Sequence, residues 1–131
     1  MNSADEAEVR AMMRKLWQDE SEEELRYEAV FVWEREDGAI GGCIVVGLRP
    51  WAEGCLSAPC PYIEGCYVEP DLRRCGVGVA LVQAVEAWCI GNGYDELGSD
   101  AEVTNETSLT AHAKLGFEAT VQIQHFCKRL R

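Results

Sequence analysis

Apolar and polar positions alternate along this chain in a helix, hairpin, loop, strand, helix, strand, helix order. Val9, Met12, Met13, Leu16 and Trp17 recur at helical spacing behind a Ser3/Glu6 capping box. Ser21 and Glu24 are placed to cap a second, very short helix. Tyr27 to Trp33 is rich in aromatic and β-branched residues and predicts a strand. Asp37-Gly38 is a hairpin turn signal, and Ile40 to Leu48 supplies the returning strand. Pro50, Gly54, Pro59 and Pro61 make the Arg49–Pro61 segment a loop. Tyr62 to Val68 then predicts a buried strand, stopped by Pro70. Gly76 to Cys89 is the clearest helix, with Leu81, Ala84, Val85, Trp88 and Cys89 on one stripe and Gly91 and Gly93 ending it. A short strand near Glu96–Ser99 precedes a helix from Asn105 to Leu115, closed by Gly116. Phe117 to Leu130 reads as a closing strand pair. The order predicts one mixed α/β domain, residues 1–131, built around a single sheet.

Composition narrows the partners. The chain is 47% hydrophobic and 27% charged, as a globular domain is. No stretch stays apolar long enough to span a bilayer, and Met1 to Glu6 lacks the basic start of a signal peptide. A cytoplasmic location is expected. The seven cysteines are an odd number, which excludes complete internal pairing and suits reduced thiols. Cys55 and Cys60 have no second pair or histidine cluster at zinc spacing, so no metal is expected. The net charge is −11, and residues 1–71 carry 16 acids against 6 bases. Nucleic acid and anionic membrane require a basic footprint and are poor partners, whereas a small cationic ligand would be attracted.

The segment richest in chemistry runs from Val68 to Ala80. A strand ends, a short turn follows, and Arg73, Arg74, Gly76 and Gly78 open a long helix. A helix start presents backbone N–H groups without carbonyl partners together with the positive end of the dipole, a combination that binds phosphate. Gly76 and Gly78 admit an anion close to the backbone, and the two arginines add charge-assisted bonds. The Lys-Ser/Thr of a Walker loop and the Gly-x-Gly-x-x-Gly of a dinucleotide fold are both missing.

Arg73-x-x-Gly76-x-Gly78, after a strand closing in Tyr67-Val68-Glu69-Pro70, resembles the pyrophosphate motif of GNAT acetyltransferases. Asn105-Glu106-Thr107-Ser108 through His112-Ala113-Lys114-Leu115-Gly116-Phe117 is similar to that family's later motif. The resemblance implies a GNAT fold, with one mixed and mostly antiparallel sheet flanked by helices and two splayed parallel strands at its centre. It also implies acetyl-CoA as acetyl donor, lying against Cys66, Tyr67 and Val68 with its diphosphate on Arg73, Arg74, Cys75, Gly76, Val77, Gly78 and Val79. Asn105 takes the place that contacts the pantetheine arm. The family begins with a short strand, whereas only Met1-Asn2 precedes the Ser3 cap here, so either the start is truncated or that first strand is missing. Relatives often pair as dimers, and a shortened sheet edge would invite a homodimer here too.

Within the family, Glu64-Gly65-x-Tyr67-Val68-x-Pro70, Leu97-Gly98-Ser99-Asp100 and Leu16-Trp17 resemble segments of the aminoglycoside 6′-N-acetyltransferases. That likeness gives Glu64 the role of base and makes Asp100 an anchor for the cationic substrate that also shares the base role, since an ammonium cannot attack until it loses a proton. Trp17 and Trp51 join Glu64 and Asp100 in the implied substrate site. His112 stands where many members carry a tyrosine acid, and it either protonates the departing thiolate or only contacts the cofactor. The acceptor stays open among an aminoglycoside, a polyamine, another small amine and a protein N-terminus. A non-catalytic acyl-CoA-binding module is the remaining alternative.

Overall fold

The computed structural model describes residues 27–131 together with Ala11. The two expected N-terminal helices, the question of a first strand and Trp17 therefore lie outside the described residues. The chain divides into two compact units, Met1–Asp100 and Ala101–Arg131.

In the first unit three strands form an antiparallel sheet in the order β1 (Ala29–Glu34), β2 (Ile40–Arg49), β3 (Cys60–Val68). The Asp37-Gly38 turn closes the first hairpin as expected. Asp37 Oδ1 accepts the Ala39 N–H, and Gly38 has a φ of 88°, which a side chain would resist. β2 is the central strand, and every residue from Gly41 to Gly47 is buried. Its apolar run is long because both of its faces are covered.

Helix α1 (Val77–Gly91) packs across all three strands. Val77, Leu81, Val82, Val85 and Cys89 are its buried positions, and the first two approach Gly42 so closely that a Cβ there would sit 3.3–3.4 Å from them. Ile44, Val46 and Val85 are fully buried at the heart of this layer, each worth about 1.5–3 kcal/mol relative to exposure. On the opposite sheet face Cys43 and Val45 pack with Tyr27, Val30, Ile40 and Tyr67.

Two expected strands differ from the structure. The Glu96–Ser99 segment meets the sheet through one parallel bridge, Tyr62 to Gly98, with Ile63 N donating to Gly98 O and Gly98 N to Pro61 O, both at 2.9 Å. Beyond that bridge β3 and this segment form no further ladder, the divergence of two splayed parallel strands. Residues 117–131 form no strand among the described residues. Their alternating apolar positions, Val121 and Ile123 among them, stand exposed without a ladder partner. A period-two pattern states which residues can line a sheet face, while a strand exists only where a neighbouring edge supplies hydrogen bonds. In the second unit α2 (Glu106–Lys114) is capped by Asn105, whose side chain accepts the Ser108 N–H at 3.1 Å, and Gly116 follows at a φ of 89°.

Candidate active site

Glu64 owes its position to a fault in the β2–β3 ladder. Val45 pairs with Gly65 and Val46 with Ile63, so Glu64 is the extra residue of a β-bulge. Its side chain lies across Gly47 of β2, where an added Cβ would meet Glu64 Oε1 at 2.9 Å and Cγ at 3.0 Å. Arg49, at the end of β2, grips the carboxylate with both arms: Nε donates to Oε1 and Nη2 to Oε2, each at 2.8 Å. The Arg49 guanidinium also lies 3.5 Å above the Tyr62 ring centroid. Tyr62 in turn donates its hydroxyl to Asp100 Oδ2 at 2.8 Å. Burial, reinforced by the hydrogen bond to Asp100, pushes the Tyr62 phenol above its ordinary value and keeps it a donor. The hydrogen bond to Glu64 likewise raises Arg49.

The structure thus brings Glu64 and Asp100 into one chain of contacts, through two residues that the motifs did not single out. The sequence marks Arg49 only as the start of a loop and Tyr62 only as a strand residue. Each carboxylate oxygen keeps acceptor capacity beyond these bonds, because an ionised carboxylate has about four acceptor sites. Trp51, on the loop after β2, is 68% exposed. That loop is pinned at its far end, where Glu96 accepts from the Leu56 and Ser57 amides and from the Ser57 hydroxyl. These bonds, the hydroxyl's foremost, hold the Glu96 carboxyl below its usual range.

The phosphate-binding expectation concerns the turn after β3. Glu69 N donates back to Gly41 O of β2, so strand alternation turns the backbone groups of Cys66 and Val68 to the outer edge of β3. Arg73 Nε donates to that outward Val68 carbonyl at 2.9 Å. A 3-10 turn, Pro70–Leu72, is tied to the first hairpin by a two-pronged ion pair of Arg35 with Asp71, which holds the Asp71 carboxyl low. Arg74 (φ 62°) and Gly76 (φ 86°) are both left-handed and swing the chain into α1.

At the start of α1 no side chain caps the helix, and no acid occupies its first turn. The first helical bond runs from Ala80 N to Gly76 O at 3.0 Å, so the N–H groups of Val77, Gly78 and Val79 have no carbonyl within the helix. Arg73, Arg74, Cys75 and Gly76 are exposed beside them. A Cβ built at Gly76 or Gly78 meets no neighbouring atom within 4 Å. An uncapped helix start flanked by two arginines, continuing from a strand edge with outward backbone groups, fits a diphosphate followed by an extended amide-bearing arm.

In the second unit Asn105 spends its side-chain oxygen on the helix cap. His112 Nδ1 lies 2.7 Å from the Ser108 carbonyl, which can only accept, so Nδ1 carries a proton. The ring is also held edge-on against Phe117.

The sequence model of the Acetyltransferase (GNAT) family matches residues 3–117. The aminoglycoside N(6')-acetyltransferase type 1 of Klebsiella aerogenes is 43% identical over 102 residues, covering 78% of this chain and 67% of that protein. Its counterpart in Acinetobacter genomosp. 13 is 35% identical over 126 residues, covering 96% of this chain and 82% of that one. Among solved structures, AAC(6')-Iy in complex with the bisubstrate analogue CoA-S-monomethyl-acetylneamine superposes with a TM-score of 0.87 at 28% identity, covering 98% of this chain and 95% of the other. AAC(6')-Ih from Acinetobacter baumannii superposes with a TM-score of 0.85 at 23% identity over 100% of this chain and 96% of the other, which extends the shared fold to a more distant sequence. With the strand edge, the glycine-arginine turn and the later Asn-to-Phe motif all inside the matched span, this chain belongs to the GNAT family of acetyltransferases.

Proposed function

We propose that this enzyme transfers the acetyl group of acetyl-CoA to the 6′-amine of an aminoglycoside. The observation that carries the reading is the pair of carboxylates, Glu64 and Asp100, held in one network on β3 and the segment that diverges from it. A polycationic acceptor needs more than one anionic contact, and its reacting ammonium needs a proton acceptor. The relatives that share this chain's sequence over most of its length carry aminoglycoside N(6')-acetyltransferase in their names. The AAC(6')-Iy structure holds CoA joined to an acetylneamine.

Acetyl-CoA supplies an activated thioester, and the chain supplies position and proton traffic. In this reading the outward groups of Cys66 and Val68 pair with the pantetheine arm, with Tyr67 between them. The turn from Arg73 to Val79 takes the diphosphate. Asp100 anchors the incoming ammonium. Glu64, whose oxygens each retain acceptor capacity beside Arg49, receives the ammonium proton directly or through a water. The freed amine bonds to the thioester carbonyl carbon, the C–S bond breaks, the nitrogen gives up its second proton to water, and the thiolate takes up a proton as it leaves. Asn105 and His112 keep the roles that their motif implies, a pantetheine contact for Asn105 and, for His112, either the thiolate's proton source or a cofactor contact. His112 can give that proton only from Nε2 and only as imidazolium, because Nδ1–H is committed to Ser108. Trp51 and Trp17 are assigned to the face of the acceptor.

The test is mass-spectrometric detection of acetyl transfer from acetyl-CoA to a panel of aminoglycosides and polyamines. Direct mass detection is preferable because the protein's own exposed thiols, such as Cys75 and Cys127, would react in a thiol-coupled assay. Acetylated products from aminoglycosides bearing a 6′-amine, and none from 6′-hydroxyl analogues, is the expected result. Acetylation of spermidine alone would move the acceptor to the polyamines. Acetyl-CoA binding without any product would reject the enzyme reading.

A further inference from the structure

We infer that Arg49 is a positioning residue for the acetyl transfer, acting through Glu64 and, by way of Tyr62, on the Asp100 side of the site. The inference rests on the proposed role of Glu64 as base. Its own support is geometric. The bidentate grip fixes both the distance and the plane of the carboxylate, which a single contact would leave free to rotate. The same guanidinium is stacked on Tyr62, so its plane is fixed by a ring as well as by an acid. The ring belongs to β3 on the near side of the bulge, two residues from Glu64, and its hydroxyl reaches Asp100. One cation therefore ties together two acids that lie 36 positions apart in the chain.

The local structure is shaped to allow this. Gly47 leaves the space that the Glu64 side chain crosses on its way to Arg49, and strand alternation puts Glu64 on the same face as Tyr62, two residues before it. No side chain could take the place of Arg49 without loss of one of its three functions. Lysine has the charge but neither the fork nor the plane, and methionine has only the stem.

A positioning residue that acts through Glu64 has a signature that a structural residue lacks, because its effect vanishes once Glu64 can no longer take a proton. The experiment is a double-mutant cycle with Arg49→Met, Glu64→Gln and the pair, read as kcat and KM for the acceptor, acetyl-CoA affinity and Tm. Arg49→Met is expected to lower kcat by about thirtyfold or more, the scale on which misplaced catalytic groups fail, with acetyl-CoA affinity unchanged. In the Glu64→Gln background the same substitution is expected to cost less than about threefold. Arg49→Lys is expected to fall between, and it serves in place of Arg49→Met if that variant does not fold. Tyr62→Phe keeps the stack but frees Asp100, and is expected to raise the acceptor KM more than it lowers kcat.

Costs for Arg49→Met and Glu64→Gln that multiply would overturn the inference, as would an Arg49→Met enzyme of wild-type kcat. The acceptor reading is judged separately by the wild-type enzyme on the amine panel, and the cycle is then run on whichever amine that enzyme acetylates. A wild-type chain that acetylates no amine overturns both.

Discussion

At the residue scale, Glu64 is defined by what surrounds it more than by its own chemistry. A carboxylate at a strand end is commonplace, but this one is the extra residue of a bulge, crosses a glycine and ends in a guanidinium fork. Gly47 is the most economical place to disturb it. In Gly47→Ala the new methyl would stand 2.9–3.0 Å from Glu64 Oε1 and Cγ, and the far end of that flexible side chain would give way. The expected outcome is a kcat lowered by about tenfold through displacement of Glu64, with stability changed by no more than about 1 kcal/mol. Steady-state kinetics beside a thermal melt check it; unchanged kcat would mean that the position of Glu64 is not critical. Motif order alone marks Glu64 and Asp100 as candidates. Arg49 and Tyr62 were not, because their contacts depend on β-strand register. A bulge between Val45 and Val46 shifts every pairing on its far side, and no local pattern announces where it falls.

At the element scale, the turn into α1 stands out by what it lacks. The helix begins without a capping side chain or an acid in its first turn, and it follows two exposed arginines. Gly78 sits there with open space around it and an ordinary backbone, so a larger residue is compatible with the fold. Gly78→Val is expected to keep Tm while weakening acetyl-CoA binding by about tenfold, the cost of roughly one hydrogen bond to a charged group. Calorimetric titration with CoA measures it, and unchanged affinity would remove the phosphate from this turn. The elements governed by local signals came through the sequence well. Among the described residues, the first hairpin, β3 and the helices α1 and α2 lie within about two residues of their expected bounds, as caps and turn residues allow. The Glu96–Ser99 strand shrank to a single bridge, and 117–130 formed no strand pair. Whether either segment is a strand depends on a partner edge that no local pattern names.

At the scale of the whole molecule, charge is the property left to explain. The net charge of −11 is concentrated in residues 1–71, the part of the sequence that also carries Glu64, whereas residues 72–131 are nearly balanced at 7 acids to 6 bases. An excess of one sign around a site raises the local concentration of an oppositely charged ligand and speeds its encounter. Such steering acts over distance and is screened by salt, since the Debye length shrinks from about 30 Å at 0.01 M to about 8 Å at 0.15 M. The chemical step occurs after desolvation, at contact distances that salt barely reaches. Raising ionic strength across that range is therefore expected to lower kcat/KM for a multiply charged aminoglycoside several-fold while leaving kcat in place, and to lower it much less for a monocationic amine. Parallel salt titrations with the two acceptors test this. If both respond alike, or if kcat carries the whole effect, the acidic surplus only solvates the surface, and recognition of the acceptor falls entirely to the contacts made by Glu64, Asp100 and the residues that hold them.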